Sequence, residues 1–326
     1  MENKPEIQLS RAHLQLTRNC NLNCSFCGQR KGALGTGNKD LPFEMWLDAA
    51  RAVKKSAQLA EKEAWITLWG GEPLLYPEFN HLAKEIHHLG CHLEVVSNGT
   101  LIDRAVSTLN ELFDIINVSF DGFGATDDAI RGKGTFERVK NNLPLLRERR
   151  GKLVLLLTLC ESNVHQLRSM LESFSTLKPD KIVLQPLIYL SQTEINAYQK
   201  YSERVFGSSY SGLQKYYDKD KTTYEIELRK QLEGIDFDAY DFELCFTPHT
   251  QGKPHPPCVM VNERAHIKYD GEVGFCTDFF GYSAGNIRDD SLENIFVNRR
   301  SEKFRKAVNE NKLMICEHCP WRCQIN

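Results

Sequence analysis

Residues 20–27 read CNLNCSFC and place three thiols, those of Cys20, Cys24 and Cys27, within eight consecutive residues. They follow a short apolar run at residues 12–17, which has the length and composition of a strand. A cubane iron–sulfur cluster normally takes four Cys thiolates, so three leave one iron open to a small molecule. The stretch therefore predicts a reactive iron–sulfur site directly after a first strand.

Two other cysteine chemistries fit this stretch less well. A zinc knuckle needs a fourth Cys or His at short range, and the next His after Cys27 is His81. A disulfide framework belongs to secreted proteins, and residues 1–6, MENKPE, lack the apolar segment of a secretion signal.

Length and composition indicate the number of domains and the classes of partner. The chain has 326 residues, enough for one large domain or two ordinary ones, with 41 basic and 43 acidic residues. This balance gives no support for a nucleic-acid or membrane-surface partner. No apolar run has the length of a membrane helix, and we expect a cytoplasmic protein.

Eleven cysteines are many for a reducing compartment unless most of them bind metal. Three lie in the opening stretch, and five gather near the end, at Cys258, Cys276, Cys316, Cys319 and Cys323. The isolated Cys91, Cys160 and Cys245 are expected to be small buried apolar residues.

The first half of the chain alternates short apolar runs with segments of helical period. The six candidate strands are residues 12–17, 65–69, 92–97, 115–120, 153–159 and 182–187. Six βα units predict an α/β fold, a partial (β/α)6 barrel whose functional residues lie at the carboxyl ends of the strands. A doubly wound sheet is the alternative, with its ligand at a topological switch point.

Polar motifs follow three of these runs. Gly70-Gly71-Glu72-Pro73 comes after the second, Ser97-Asn98 ends the third, and Ser119-Phe120-Asp121 ends the fourth. Glycines permit close approach to the backbone, and the polar side chains suit ammonium, hydroxyl and carboxylate groups of a ligand. Capping of the next helix or turn is the alternative for each.

The spacing C-x-x-x-C-x-aromatic-C, with Phe26 as the aromatic residue, resembles the signature of the radical S-adenosylmethionine (radical SAM) superfamily. The resemblance implies a [4Fe-4S] cluster on Cys20, Cys24 and Cys27 that binds SAM and cleaves it reductively to a 5′-deoxyadenosyl radical. It also implies a flavodoxin- or ferredoxin-type electron donor. By the same resemblance, Glu72 binds the SAM amino group and Arg131 binds the SAM carboxylate. The other SAM contacts that it implies are Phe26, Gly70, Gly71, Ser97, Asn98 and Ser119. Asp121 is a candidate cap or base.

The stretch from Ser119 to Phe136 and the far cysteines resemble the subgroup with a C-terminal SPASM or twitch domain. Cys258 precedes Gly271 by twelve intervening residues, and four more separate Gly271 from Cys276, which fits the subgroup's opening pattern. Five cysteines suffice for one cubane, so we expect a twitch-like domain. Its auxiliary [4Fe-4S] cluster would be held by Cys258, Cys276, Cys316 and Cys319, with Cys323 as a spare or substitute ligand. A zinc ribbon is the alternative.

These patterns predict three regions: a barrel at residues 1–190, a bridging helical segment at 191–257, and an auxiliary-cluster domain at 258–326.

The resemblance favours modification of a peptide or protein by oxidation, cross-linking or epimerisation, although no leader-binding domain precedes Cys20. The alternative is a dehydrogenase or epimerase of a sugar or aminocyclitol. In an epimerase, a thiol such as Cys245 or Cys323 could return the hydrogen atom. A non-catalytic electron carrier is disfavoured because ferredoxins are small.

Overall fold

The structure is a computed structural model. It describes residues 7–28, 40–207, 217, 221–246, 258–277, 279, 282–313, 315–316 and 319. Cys323 and the prolines at positions 248, 254, 256 and 257 lie outside the described residues.

All six predicted strands form, and they pair in parallel in chain order. They are β1 (Arg11–Gln15), β2 (Trp65–Trp69), β3 (His92–Ser97), β4 (Ile115–Ser119), β5 (Lys152–Leu159) and β6 (Lys181–Pro186). The predicted α/β fold with a parallel sheet is therefore confirmed.

Helices occupy the crossovers between these strands, as their apolar periodicity predicts. They are α1 (Phe43–Leu59), α2 (Phe79–His88), α3 (Val106–Leu112), α4 (Ala125–Arg131), α5 (Thr135–Asn142) and α6 (Leu167–Phe174). The fourth crossover contains two helices separated by Gly132, Lys133 and Gly134, and both of these glycines have positive φ.

The sheet extends beyond the six predicted strands at both edges. After α7 (Gln192–Phe206) and α8 (Lys221–Leu232), strand β7 (Glu243–Phe246) pairs in parallel with β6. At the other edge, the short helix α9 (Met260–Glu263) leads into β8 (Arg264–Ile267), which pairs in parallel with β1. Eight neighbouring strands are thus parallel, and β7, with four residues, is too short to stand out by apolar pattern.

Asp270-Gly271 is a turn dipeptide that predicts a hairpin between residues 265–269 and 272–275, and this hairpin forms and continues the same sheet. Strand β8 pairs antiparallel with β9 (Glu272–Gly274), and Gly271 in the turn has φ 92°. Strand β10 (Gly285–Asn286) pairs antiparallel with β9, and helices α10 (Leu292–Val297) and α11 (Arg299–Asn309) follow. The hairpin of the predicted auxiliary domain is therefore hydrogen-bonded to the first strand of the barrel.

The sheet separates two apolar clusters. On β5, Leu153, Leu155 and Leu157 pack into the main core, whereas Val154 and Leu156 belong to a second, smaller cluster. Neighbouring side chains of a strand point to opposite faces, so the two clusters lie on opposite sides of the sheet. We call the face that carries Val154 and Leu156 the barrel lumen. Among the described residues, no helix is long and apolar enough to cross a membrane.

Candidate active site

The cysteine loop is attached to the turn that follows β2. The N–H of Gly71 donates to the carbonyl oxygen of Thr17 at 2.8 Å, and the N–H of Glu72 donates to that of Asn19 at 2.8 Å. These two bonds place the loop that begins after β1 directly against the Gly70-Gly71-Glu72 turn.

The two glycines are required by this contact. A Cβ atom at Gly70 would overlap the carbonyl oxygen of Thr17, and one at Gly71 would overlap the carbonyl oxygens of Arg18 and Asn19. The sequence predicts that the glycines admit a ligand. The contact that the structure describes is with the chain's own backbone, so the glycines first of all permit the loop to pack.

The three thiols of the loop lie close enough to influence one another. Burial raises the pKa of Cys24 to about 11, and the neighbouring thiols of Cys20 and Cys27 add to this rise. Burial also raises the pKa of Cys20, while hydrogen bonds to its Sγ atom from Leu22 N at 3.4 Å and Asn98 Nδ2 at 3.8 Å oppose the rise. A metal deprotonates a coordinating thiol, and polar donors to sulfur stabilise the thiolate. The donor set therefore fits a metal–sulfur cluster.

Glu72 is fully buried, and its carboxylate is held by the end of β3. It accepts hydrogen bonds from Ser97 Oγ at 2.8 Å, Asn98 N at 2.8 Å and Leu74 N at 3.2 Å. Burial nevertheless raises its pKa to about 7. A cation that reached this carboxylate would favour its charged form.

Asn98 ties β3 to the cysteine loop. Its Nδ2 atom donates to Asn21 Oδ1 at 3.0 Å, and its Oδ1 atom accepts from the hydroxyl of Thr100 at 2.6 Å. Asn21 in turn donates to the same hydroxyl at 2.8 Å. Asn21 and Thr100 are therefore parts of the site that the sequence analysis missed, although both flank motifs that it identified.

Asp121 and Arg131 form a buried ion pair at the end of β4. Arg131 Nε lies 2.6 Å from Asp121 Oδ2, and Thr158 N donates to Asp121 Oδ1 at 2.9 Å. Burial alone would lower the pKa of Arg131, but Asp121, Cys24 and Asp127 raise it above its usual value. Both oxygens of Asp121 are occupied, an arrangement that favours orienting Arg131 over acting as a base.

The same helix supports the cysteine loop from its other side. Ser25 N donates to the carbonyl oxygen of Ile130 at 2.9 Å, one residue before Arg131. Asp127, which the sequence analysis did not single out, accepts from Asp121 N at 2.8 Å. Ser119 ends β4 and is half-buried, as is Phe26 within the loop. The ends of β1 to β4 and α4 thus converge on the three thiols.

Gln15 and Trp69 line the barrel lumen next to this site. They are paired in register at the carboxyl ends of β1 and β2, and the Trp69 ring lies 4.9 Å from the ring of His266 on β8. Burial lowers the pKa of His266 to about 3, so its ring is neutral at physiological pH. No motif in the sequence points to this group.

The candidate ligands of the second cluster lie on the C-terminal elements. Cys258 precedes α9 and Cys276 follows β9, while Cys319 N donates to the carbonyl oxygen of Cys316 at 3.4 Å. Cys258, Cys276 and Cys316 are partly buried against the main core. None of the ten described cysteines forms a disulfide, and no three described His, Cys, Asp or Glu side chains gather around the position of a single metal ion. A cubane distributes its thiolates over four irons.

Two family models match the chain. Residues 14–174 match the model of the radical SAM superfamily, and residues 258–320 match the SPASM model, described as an iron–sulfur cluster-binding domain.

Two curated relatives each match about half of the chain. Pre-heme d1 synthase of Dinoroseobacter shibae is 34% identical over 185 residues, 56% of this chain and 44% of that protein. The sporulation killing factor maturation protein SkfB of Bacillus subtilis is 34% identical over 162 residues, 49% of this chain and 38% of that protein. The chain thus spans less than half the length of either relative.

The fold extends beyond these sequence matches. The crystal structure of Streptococcus suis SuiB bound to S-adenosylmethionine superposes with a TM-score of 0.68 at 14% identity, covering 97% of this chain and 73% of that chain. This likeness includes both the barrel strands and the C-terminal elements.

Proposed function

Because the chain belongs to the radical SAM superfamily and carries a SPASM iron–sulfur domain, we propose that it is an enzyme that uses SAM to modify a peptide or protein. When bound, the [4Fe-4S] cluster supplies the electron that cleaves SAM to a 5′-deoxyadenosyl radical, which takes a hydrogen atom from the substrate. Cys20, Cys24 and Cys27 are the proposed ligands. A flavodoxin- or ferredoxin-type protein is the proposed electron donor.

The convergence of four strand ends on the cysteine loop carries this proposal. The loop is hydrogen-bonded to the turn after β2, to the end of β3 through Asn98, and to α4 through Ser25. Ligand groups held by separate strands at the carboxyl end of a barrel can surround one small molecule.

Each polar group in this arrangement has a proposed task toward SAM. Glu72 would accept the ammonium group, and Ser97 would orient the Glu72 carboxylate through their 2.8 Å bond. Asp121 holds Arg131 by Nε, so the terminal nitrogens of the guanidinium would bind the SAM carboxylate. Phe26, Gly70, Gly71, Asn98 and Ser119 stay proposed contacts of the cofactor.

Sequence similarity to peptide-modifying proteins supports a peptide as the substrate. SkfB, a maturation protein for a killing factor, matches 49% of the chain at 34% identity. The stretch from Ser119 to Phe136 independently resembles enzymes that act on peptides. The auxiliary cluster would accept an electron from the substrate or support substrate binding, with Cys258, Cys276, Cys316 and Cys319 as its proposed ligands.

Modification of a tetrapyrrole is a second candidate. The match to pre-heme d1 synthase is as high in identity as that to SkfB and covers slightly more of the chain. Adding peptide fractions or iron-coproporphyrin to the reduced enzyme distinguishes the two, because a true substrate accelerates the formation of 5′-deoxyadenosine.

The proposed chemistry is tested with anaerobically reconstituted protein, dithionite and SAM. The wild-type chain should form 5′-deoxyadenosine, and Cys24→Ala should reduce the yield at least a hundredfold. Cys91→Ala is the matched control, because Cys91 is buried beside α2 and β3, away from the loop. Equal yields from wild type and Cys24→Ala would refute the proposal. Metal analysis should give about eight irons per chain, whereas four irons and one zinc would refute the auxiliary cluster.

A further inference from the structure

Arg264 stands between two of the proposed auxiliary ligands. It opens β8, and only Val259 and α9 separate it from Cys258. In the β8–β9 hairpin, His266 pairs with Gly274, so Arg264 and Cys276 each lie two residues beyond this pair, at the same end of the hairpin. A step of two residues returns a side chain to the same face of a strand.

The charge of Arg264 is poorly compensated by acidic side chains. Its Nε atom is buried and has no hydrogen-bond partner among the described residues. Its register partner on β1 is another cation, Arg11. Glu94, the acidic side chain that favours the charged form of Arg264, already accepts hydrogen bonds from Thr67 Oγ1 at 2.8 Å and Asn117 Nδ2 at 2.7 Å.

The electrostatics of Arg264 agree with this geometry. Burial lowers its pKa, while Glu94, Cys258 and Cys276 favour the charged form and Arg11 disfavours it. Both cysteine sulfurs therefore lie within electrostatic range of the guanidinium. An arginine stays protonated even when it is partly buried, so this charge is permanent.

We propose that Arg264 is a positioning residue of the auxiliary cluster, whose guanidinium lies beside the Cys258 and Cys276 ligands and raises the reduction potential of that cluster. The inference rests on the proposed ligand assignment. Uptake of one electron makes the cluster more negative by one charge, and a fixed cation nearby stabilises the reduced form more than the oxidised form. Net charge and hydrogen bonds to sulfur are known determinants of cluster potential.

The test isolates the auxiliary cluster. A Cys20→Ala/Cys24→Ala/Cys27→Ala chain retains only the C-terminal ligands and is titrated with dithionite while its reduced cluster is followed by electron paramagnetic resonance. In this background, Arg264→Met should lower the ratio of reduced to oxidised cluster about tenfold at a given potential, a shift of about −59 mV for a one-electron couple. Arg264→Lys keeps the positive charge, so the reduction potential of its cluster should stay close to that of the parent chain.

Two further variants separate charge from packing. Arg264→Gln is neutral but keeps a hydrogen-bond donor, so it should shift the reduction potential in the same direction as Arg264→Met. If Arg264→Met does not fold, Arg264→Gln serves as the neutral variant. Lys268→Met is the matched control at the turn end of the same hairpin, where Lys268 is paired with Glu272 at 2.7 Å, and it should leave the potential unchanged.

The outcomes are distinct. A triple-alanine chain without iron refutes the ligand assignment together with this inference. An iron-loaded chain whose potential is the same with arginine, methionine or glutamine at position 264 refutes the inference alone.

Discussion

Arg131 Nε and Asp121 Oδ2 lie 2.6 Å apart, and both side chains are almost completely buried. Asp121 follows β4 and Arg131 ends α4, so the pair fixes this helix over the carboxyl end of the sheet. Because Ile130 also accepts a hydrogen bond from Ser25, the ion pair supports the cysteine loop indirectly.

Asp121→Asn should destabilise the protein strongly. The substitution preserves shape but leaves the Arg131 charge without its closest buried partner, a loss of about 3–5 kcal/mol in the free energy of unfolding. Asp128→Asn is the control on the same helix: half-buried Asp128 accepts hydrogen bonds from backbone N–H groups, among them Gly134 N and Phe136 N, so the substitution should cost about 1 kcal/mol. Urea unfolding measures both, and equal losses would contradict the importance of the pair.

Glu72 should make the stability of the metal-free protein depend on pH. Burial raises its folded-state pKa to about 7 from an ordinary value of 4.5. Because the folded-state pKa is raised, the contribution of protonated Glu72 to the free energy of unfolding is fully present below about pH 4.5. This contribution is lost as the pH rises through 7. We therefore expect a loss of about 3 kcal/mol between pH 5 and pH 8, of the order that 2.5 pKa units imply.

Glu72→Gln should remove this part of the pH dependence, as measured by urea midpoints at several pH values. Burial also raises the pKa of Asp127 to about 7. Asp127→Asn should therefore remove a second part of the pH dependence of stability, over the same pH range. An undiminished slope in Glu72→Gln would show that Glu72 titrates near its ordinary value.

Gly71→Ala should disrupt the cysteine loop. The added methyl group meets the backbone carbonyls of Arg18 and Asn19, which cannot move without shifting the loop. We expect iron loading of the N-terminal site and formation of 5′-deoxyadenosine to fall at least tenfold. Gly207→Ala is the control: its Cβ would meet no atom, so only the positive φ of 71° costs about 1 kcal/mol. Normal iron content in Gly71→Ala would disprove the predicted clash.

Gln15→Leu should stabilise the metal-free protein. Gln15 is fully buried, and neither atom of its amide has a hydrogen-bond partner among the described residues. Replacing this amide by an apolar group of similar size should add about 1–3 kcal/mol to the free energy of unfolding. Asn98→Leu should act in the opposite direction, because its amide bonds Asn21 and Thr100. Destabilisation by Gln15→Leu would show that its amide is hydrogen-bonded within the lumen.

Local patterns in the sequence determine the first six strands, the hairpin at Gly271 and the cysteine loop. Strand alternation, helical period and turn residues depend on neighbours in the chain, and each leaves a short-range signal. Strand β7 leaves a weaker one. The positions of β7 and β8 at the two edges of the parallel strands depend on backbone pairing with β6 and β1, which does not require particular side chains.

Sequence motifs predict polar residues at the strand ends, but they do not predict which contacts these residues make. Sequence predicts Ser97 and Asn98 as separate ligand contacts and Asp121 as a cap or a base, whereas tertiary structure directs Ser97 and Asn98 to Glu72 and Asp121 to Arg131. It likewise brings Gln15, Trp69 and His266 together from three strands. Residue type and spacing determined the chemistry available to this protein, while the packing of distant strand ends decided which groups meet, because burial and hydrogen bonding depend on the folded neighbourhood.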